Sequence, residues 1–189
     1  MVLIFFLVAL GALTINCAST KPEMPQKKEN AYIDKDLEAL TDLWLERIQY
    51  RDREEILEEL ERRRAIDELI FCFEIAGWRI GPTEDRKKDR LFILNIFGRL
   101  KDKKTVPLLI DQLENMDYGL CTQALDALGK IKDPATIEKI IPLLYNKDPK
   151  IRGKAVHTLG EIGDPKASVH ISRHLADSEL FVRKLAENA

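Results

Sequence analysis

The sequence predicts an all-α fold: an α-solenoid of stacked helical hairpins preceded by a pair of helices. Three observations predict it. Apolar residues recur on a 3.6-residue period over 31–80, a 31-residue repeat runs from about Thr83 to Ala189, and Asp-Pro pairs punctuate that repeat where helices would begin. Nine glycines and eight prolines in 189 residues argue against a β-rich or disordered chain, and a formal net charge of −2 exerts no global pull toward nucleic acid. The length suits one globular domain or a short repeat array and excludes a large multidomain enzyme.

The first segment, 1–16, has the character of a signal peptide. Met1 to Ile15 reads MVLIFFLVALGALTI, an uncharged apolar run shorter than a comfortable membrane span. No Lys or Arg precedes Lys21, so the positive flank of such a signal is expected upstream of Met1. The run ends at Leu13-Thr14-Ile15-Asn16-Cys17, which resembles a bacterial lipoprotein signal, with Asn16 in place of the usual Gly, Ala or Ser. The resemblance implies that Cys17 is diacylated and becomes the mature N-terminus. A chance cysteine beside an ordinary signal or a retained anchor is the alternative. Residues 17–30 then form a tether after the lipidated cysteine: ASTKPEMPQKKEN is polar, holds Pro22 and Pro25 and has no apolar periodicity. Two acyl chains would hold the protein stably on a membrane, because each buried methylene contributes about 0.8 kcal/mol. The expected location is the cell envelope, lipid-anchored to a bacterial membrane on its extracytoplasmic side.

The N-terminal helical region, 31–82, is expected to hold two helices. Ile33, Leu37, Leu40, Trp44 and Ile48 form one apolar stripe. Asp52 and Glu55 have capping-box spacing, so a second helix is predicted from there through Ile56, Leu60, Ile66, Leu69, Ile70 and Phe73, ended by Gly77, Gly81 and Pro82. Residues 31–80 carry 8 basic and 14 acidic side chains, net −6, against 19 and 16, net +3, over 81–189. Alternating signs on helices usually mark a solvated face.

The repeat over 83–189 needs no insertion, and its last unit is incomplete. Gly98, Gly129 and Gly160 coincide, as do Asp102, Asp133 and Asp164, and Leu113, Leu144 and Leu175. Asp133-Pro134, Asp148-Pro149 and Asp164-Pro165 each place an N-cap Asp before a Pro at the first helical position, where the missing N–H costs nothing. The three glycines, in the last turns of their helices, predict close helix packing, and Gly163 a left-handed helix end.

Lys147 to Pro165, KDPKIRGKAVHTLGEIGDP, resembles a bacterial HEAT repeat of the phycobilisome-lyase-like class, and DSELFVRKLAENA from Asp177 starts the next unit. The resemblance covers roughly 83–189 and implies helix pairs stacked in a curved solenoid. It also implies a ladder in which an Arg of the second helix reaches an acidic residue near that helix's start, often across units. The matching positions are Arg90, Arg152 and Arg183, with Asp117, Asp148 and Glu179 as acids, or an acid of a neighbouring unit. Cys121 takes the Arg place in one unit and Arg86 the acidic place in another, so the ladder is interrupted.

Chemistry finds little footing. His170 and His174 are four apart, a spacing that suits a metal, but Asp177 is the only close carboxylate, so no metal site is expected. Iron hydroxylases among HEAT-repeat proteins carry His-Glu dipeptides, which this sequence lacks, and His157 is followed by Thr158. Relatives that attach bilin work inside the cell, the wrong compartment for a secreted chain. Cys72 and Cys121 either pair oxidatively or stand as separate buried thiols, which their apolar neighbours favour. The basic clusters Arg62-Arg63-Arg64, Arg86-Lys87-Lys88 and Lys101-Lys103-Lys104 sit among acids without interleaved aromatics, so a nucleic-acid groove is not expected. The last of them could at most touch anionic headgroups.

The resulting expectation is a membrane-anchored, extracytoplasmic scaffold or adaptor that binds a protein partner and uses no cofactor. The alternative is a lyase-like enzyme, or an activity-conferring subunit, of the same repeat class. A small structural subunit of an envelope complex is a third reading. Leu120, Ala124 and Leu128 match Ile151, Ala155 and Leu159 and must face the core. The opposite side carries Asn95, Asp126, His157 and Asn188 at one repeat position, a polar column free to bind an extended chain, with Lys88, Gly119, Lys150 and Phe181 beside it. Ala189 ends the sequence inside a second helix, so either the frame is truncated or a partner covers Phe181, Val182 and Leu185.

Overall fold

Aspartate side chains cap several helix starts, and within the repeat they recur at the 31-residue interval. The computed structural model describes residues 35–46, 50–78, 83–115 and 117–189. Among these there are ten α-helices, five short 3₁₀ turns and no strand, an all-α solenoid. The expected positions of Cys17, Ile33 and Ile48 lie outside the described residues, as does the tether.

The N-terminal region contains three helices rather than two: α1 (Leu37–Glu46), α2 (Tyr50–Arg62) and α3 (Ile66–Trp78). Asp36 caps α1, its Oδ1 accepting from the Ala39 N–H at 2.7 Å, and Leu40 and Trp44 are fully buried. The expected second helix begins earlier, at Tyr50, and breaks after Arg62. Arg64 adopts the left-handed region (φ 55°), its N–H donates to Glu61 O at 2.8 Å, and the Ala65 N–H reaches back to Leu60 O at 2.9 Å. That pair of bonds is a Schellman stop, built here on an arginine where glycine is usual, and so without the residue that announces it. The six-residue step from Leu60 to Ile66 in the apolar pattern is the trace it leaves.

The hairpins follow. Helix α4 (Thr83–Leu100) leads to a 3₁₀ turn and α5 (Val106–Asp111), then α6 (Tyr118–Ile131), α7 (Ile137–Ile140), α8 (Pro149–Ile162), α9 (Pro165–Ser172) and α10 (Leu180–Asn188). Asp102, Asp133 and Asp164 cap the first helix of each unit through the N–H groups of Lys104, Ala135 and Lys166. The first helices carry 3₁₀ turns: one runs Ile141–Tyr145, where Pro142 has no N–H to donate to an α-helical ladder. The second helices α4, α6, α8 and α10 pack side by side in one layer, with the first helices against it.

The core lies between those layers. Leu120, Ala124 and Leu128 are buried as the periodicity requires, as are Ala155 and Leu159, while Ile151 is half-buried. Val182 and Ala186 continue the row in α10. Helices α2 and α3 extend the core onto α4, where the Phe73 and Phe97 rings meet at 5.9 Å and a buried ion pair joins Arg53 to Asp89 at 2.8 Å. All described residues therefore fall in one compact unit, Tyr32–Ala189. Gly98 lets α4 and α6 approach, since a methyl there would sit 3.0 Å from the Ala127 Cα.

Candidate functional site

The expected arginine ladder is organised by the loops between first and second helices. At each loop end an Asn or Asp side chain turns back on the backbone: Asn115, Asn146 and Asp177 accept, at 2.9 Å each, from the N–H groups of Asp117, Asp148 and Glu179. Asp117 and Asp148 then cap α6 and α8 through the N–H groups of Gly119 and Lys150, whereas Glu179 makes no side-chain cap. The spacing of 31 among Asn115, Asn146 and Asp177 was the available signal for this turn.

The Arg152 guanidinium bonds neither the Asp148 nor the Glu179 carboxylate. It donates through Nη1 to the carbonyls of Asn146 (3.0 Å) and Lys147 (3.2 Å), and through Nε and Nη2 to both oxygens of Asp177. Asp148 is occupied as a cap, and the carboxylate that faces the guanidinium belongs to the next loop. Arg183 repeats the backbone half of the pattern, donating to Asp177 O at 2.7 Å and Ser178 O at 3.0 Å. Arg90 meets a neutral partner, Gln112 Oε1 at 2.6 Å, and stacks 4.7 Å above the Phe73 ring. Its expected acid, Asp117, pairs with Lys87 at 2.8 Å in a recess of about 440 Å³ that Arg90 also lines. The Arg152 bonds hold the Asp177 carboxyl well below the usual carboxylate range, and the hydrogen bond from Lys87 lowers that of Asp117. Cys121, in the arginine's place, is buried with its thiol 3.6 Å from Leu113 O.

The polar column is divided. Asp126 and His157 line a groove of about 430 Å³ across α6, α8 and α10; Asn95 and Asn188 are outside its lining. Nor are the column's groups all free. Asp126 is ion-paired with Lys154, His157 Nε2 stands 3.8 Å from Glu161, and the Asn188 amide donates to its own helix at Lys184 O, 2.8 Å away. Of the neighbouring column, Lys150 and Phe181 enter the same groove, but Tyr118 replaces Gly119 in its wall. Thr122, also in the lining, turns its hydroxyl onto Tyr118 O at 2.8 Å. At the floor, Gly153 leaves the space that Phe181 and Leu185 fill, for a methyl there would lie 2.8 Å from the Phe181 ring. Tyr118, Thr122, Gly153 and Lys154 were missed from the sequence because helical faces were judged by one repeat position at a time, whereas Leu185 was named there beside Phe181.

His174 is buried, with Nδ1 3.3 Å from Asp177, and His170 is half-buried. Among the described residues no group of three or more His, Cys, Asp or Glu side chains is set to hold a metal. Cys72 and Cys121 are separate, buried and free, and burial with the nearby Asp89 and Glu68 charges pushes the Cys72 thiol up to about 12. The basic clusters are partly neutralised by pairing: Arg62 and Arg63 with Glu59, Lys103 with Asp133 and Lys104 with Asp67. No helix among the described residues is long and apolar enough to cross a membrane.

Residues 106–189 match a family model described as HEAT repeats, which supports a HEAT-repeat protein. Among solved structures, the chain is similar to the crystal structure of an engineered protein from the Northeast Structural Genomics Consortium. The TM-score is 0.52 at 17% identity, over 81% of this chain and 77% of that one, a likeness of fold alone. No curated protein matches the sequence.

Proposed function

We propose that this protein is a membrane-anchored, extracytoplasmic HEAT-repeat lipoprotein whose role is that of a non-enzymatic scaffold or adaptor gripping a protein partner. One observation carries the binding role: a groove spans three successive second helices and presents Tyr118 and Phe181, 45% and 42% exposed, beside charged side chains. Large aromatics left open next to hydrogen-bonding groups are the composition of a protein-docking surface. The anchoring role rests on the apolar run before Cys17 and the polar stretch behind it.

Two measurements test the reading. Mass spectrometry of detergent-extracted protein is expected to find a diacylglyceryl mass on Cys17; a free Cys17 or an intact Met1 in membrane material overturns the anchor. The paired substitution Asp126→Ala with His157→Ala is expected to abolish capture of an envelope protein while leaving the fold intact. Unchanged capture by the folded double variant overturns the groove as the docking surface.

A further inference from the structure

The groove's own chemistry specifies what fills it, given the scaffold role proposed above. Its apolar part is a slot between Tyr118 on one side and Phe181 with Leu185 on the other, the latter two packed over Gly153. The slot is walled by two aromatic rings and an aliphatic chain, so it favours a bulky apolar side chain over a polar one. Its charged rim is asymmetric. Lys154 already holds the carboxylate of Asp126. Lys150 is exposed and has no carboxylate partner among the described residues; its ammonium stands 5.9 Å over the Tyr118 ring. The exposed cation of the lining, Lys150, is therefore left without an anion, while the acid of the lining, Asp126, is spent.

The geometry points to an acidic peptide segment of the partner as the occupant: a bulky apolar side chain enters the Tyr118–Phe181 slot, and a carboxylate beside it meets Lys150. A basic or polar segment would place like charge against Lys150 or leave the rings wet, and rim charges of this kind discriminate between partners more than they add raw affinity.

The test uses the full chain and fluorescently labelled heptapeptides, read by anisotropy: Gly-Glu-Glu-Phe-Glu-Glu-Gly, the same peptide with Lys for Glu, and the same with Ala for Phe. The acidic Phe peptide is expected to bind at least about tenfold more tightly than either control, a difference that salt diminishes. Lys150→Glu and Tyr118→Ala, both at exposed positions, are each expected to lower that binding about tenfold with an unchanged melting curve. Equal binding of the acidic and basic peptides, indifference to Lys150→Glu, or tighter binding of a single-stranded oligonucleotide overturns the proposal. If the peptides fail while the Asp126/His157 double variant still loses its envelope partner, the scaffold role stands and only the acidic chemistry of the partner is wrong. If both fail, the docking role itself fails.

Discussion

Arg152 reaches forward across a repeat boundary and closes a two-point bridge on Asp177, Nε to Oδ2 at 2.9 Å and Nη2 to Oδ1 at 2.8 Å. The same guanidinium ties back to two carbonyls of its own loop, so one side chain fastens consecutive hairpins. A planar fork with donors on two edges suits this double engagement; an ammonium would not.

Arg152→Ala is therefore expected to destabilise the fold by about 3 kcal/mol, because both members of the pair are largely buried and Asp177 would be left without its counter-charge. Asp148→Ala, which removes only a cap, should cost about 1 kcal/mol. Chemical denaturation of the two variants checks the order. Equal losses would place the partner of Arg152 at Asp148 after all.

Acid unfolding should pass through Asp177. Its pKa is depressed in the folded state, first by the bonds from Arg152, so its stabilising contribution is complete above the ordinary carboxylate value of about 4 and is lost as pH falls below that toward the folded value. Asp177→Asn should lower stability at neutral pH and flatten the decline between neutrality and acid, as followed by urea melts at successive pH values.

Left-handed helix ends offer a gain. Lys101 (φ 55°), Lys132 (φ 56°) and Gly163 (φ 72°) occupy one repeat position, and only the last is free of the Cβ penalty. Lys132→Gly should raise stability by about 1 kcal/mol, offset in part by losing a cation near a helix C-terminus. The reciprocal change, Gly163→Lys, should lower it. Thermal melts of the pair give the sign directly.

The conserved geometry of the repeat does not make its glycines equivalent in response. Gly98→Ala would press a methyl to 3.0 Å from the Ala127 backbone and should cost about 1–3 kcal/mol, since neither helix can yield without repacking. At Gly129 the added methyl meets only the Glu161 side chain, which can swing away, so Gly129→Ala should be nearly neutral. Denaturation midpoints distinguish them.

Thiol chemistry supplies a last check. Buried Cys72, with its pKa pushed up to about 12, should resist alkylation at pH 8 in the folded protein and react on unfolding. Rapid labelling of the native state would contradict its burial.

The helices of 83–189 were legible because their determinants are local: an Asp side chain caps the N–H two or three residues on, and an apolar stripe needs only the helical period. The arginines were marked by the resemblance to a HEAT repeat. Their partners were not legible, since Asp148 at four residues and Asp177 at twenty-five are both acids, and only the packing of one loop beneath the next helix decides which carboxylate the guanidinium faces. The break at Arg64 escaped for a related reason: a left-handed arginine is strained on its own and persists because Leu60 and Ile66 are each pulled into the core on separate helices. The groove belongs wholly to the tertiary structure. Repeat arithmetic brought Asp126, His157, Lys150 and Phe181 forward, but the position of Tyr118 in the wall and the closeness of Phe181 to Gly153 depend on how α6, α8 and α10 lean together. By itself, then, the sequence determined the period, the caps and the core face, all set within a few residues of chain. Pairing across hairpins and the shape of the surface were decided by packing, because those interactions join residues that only the stacked solenoid makes neighbours.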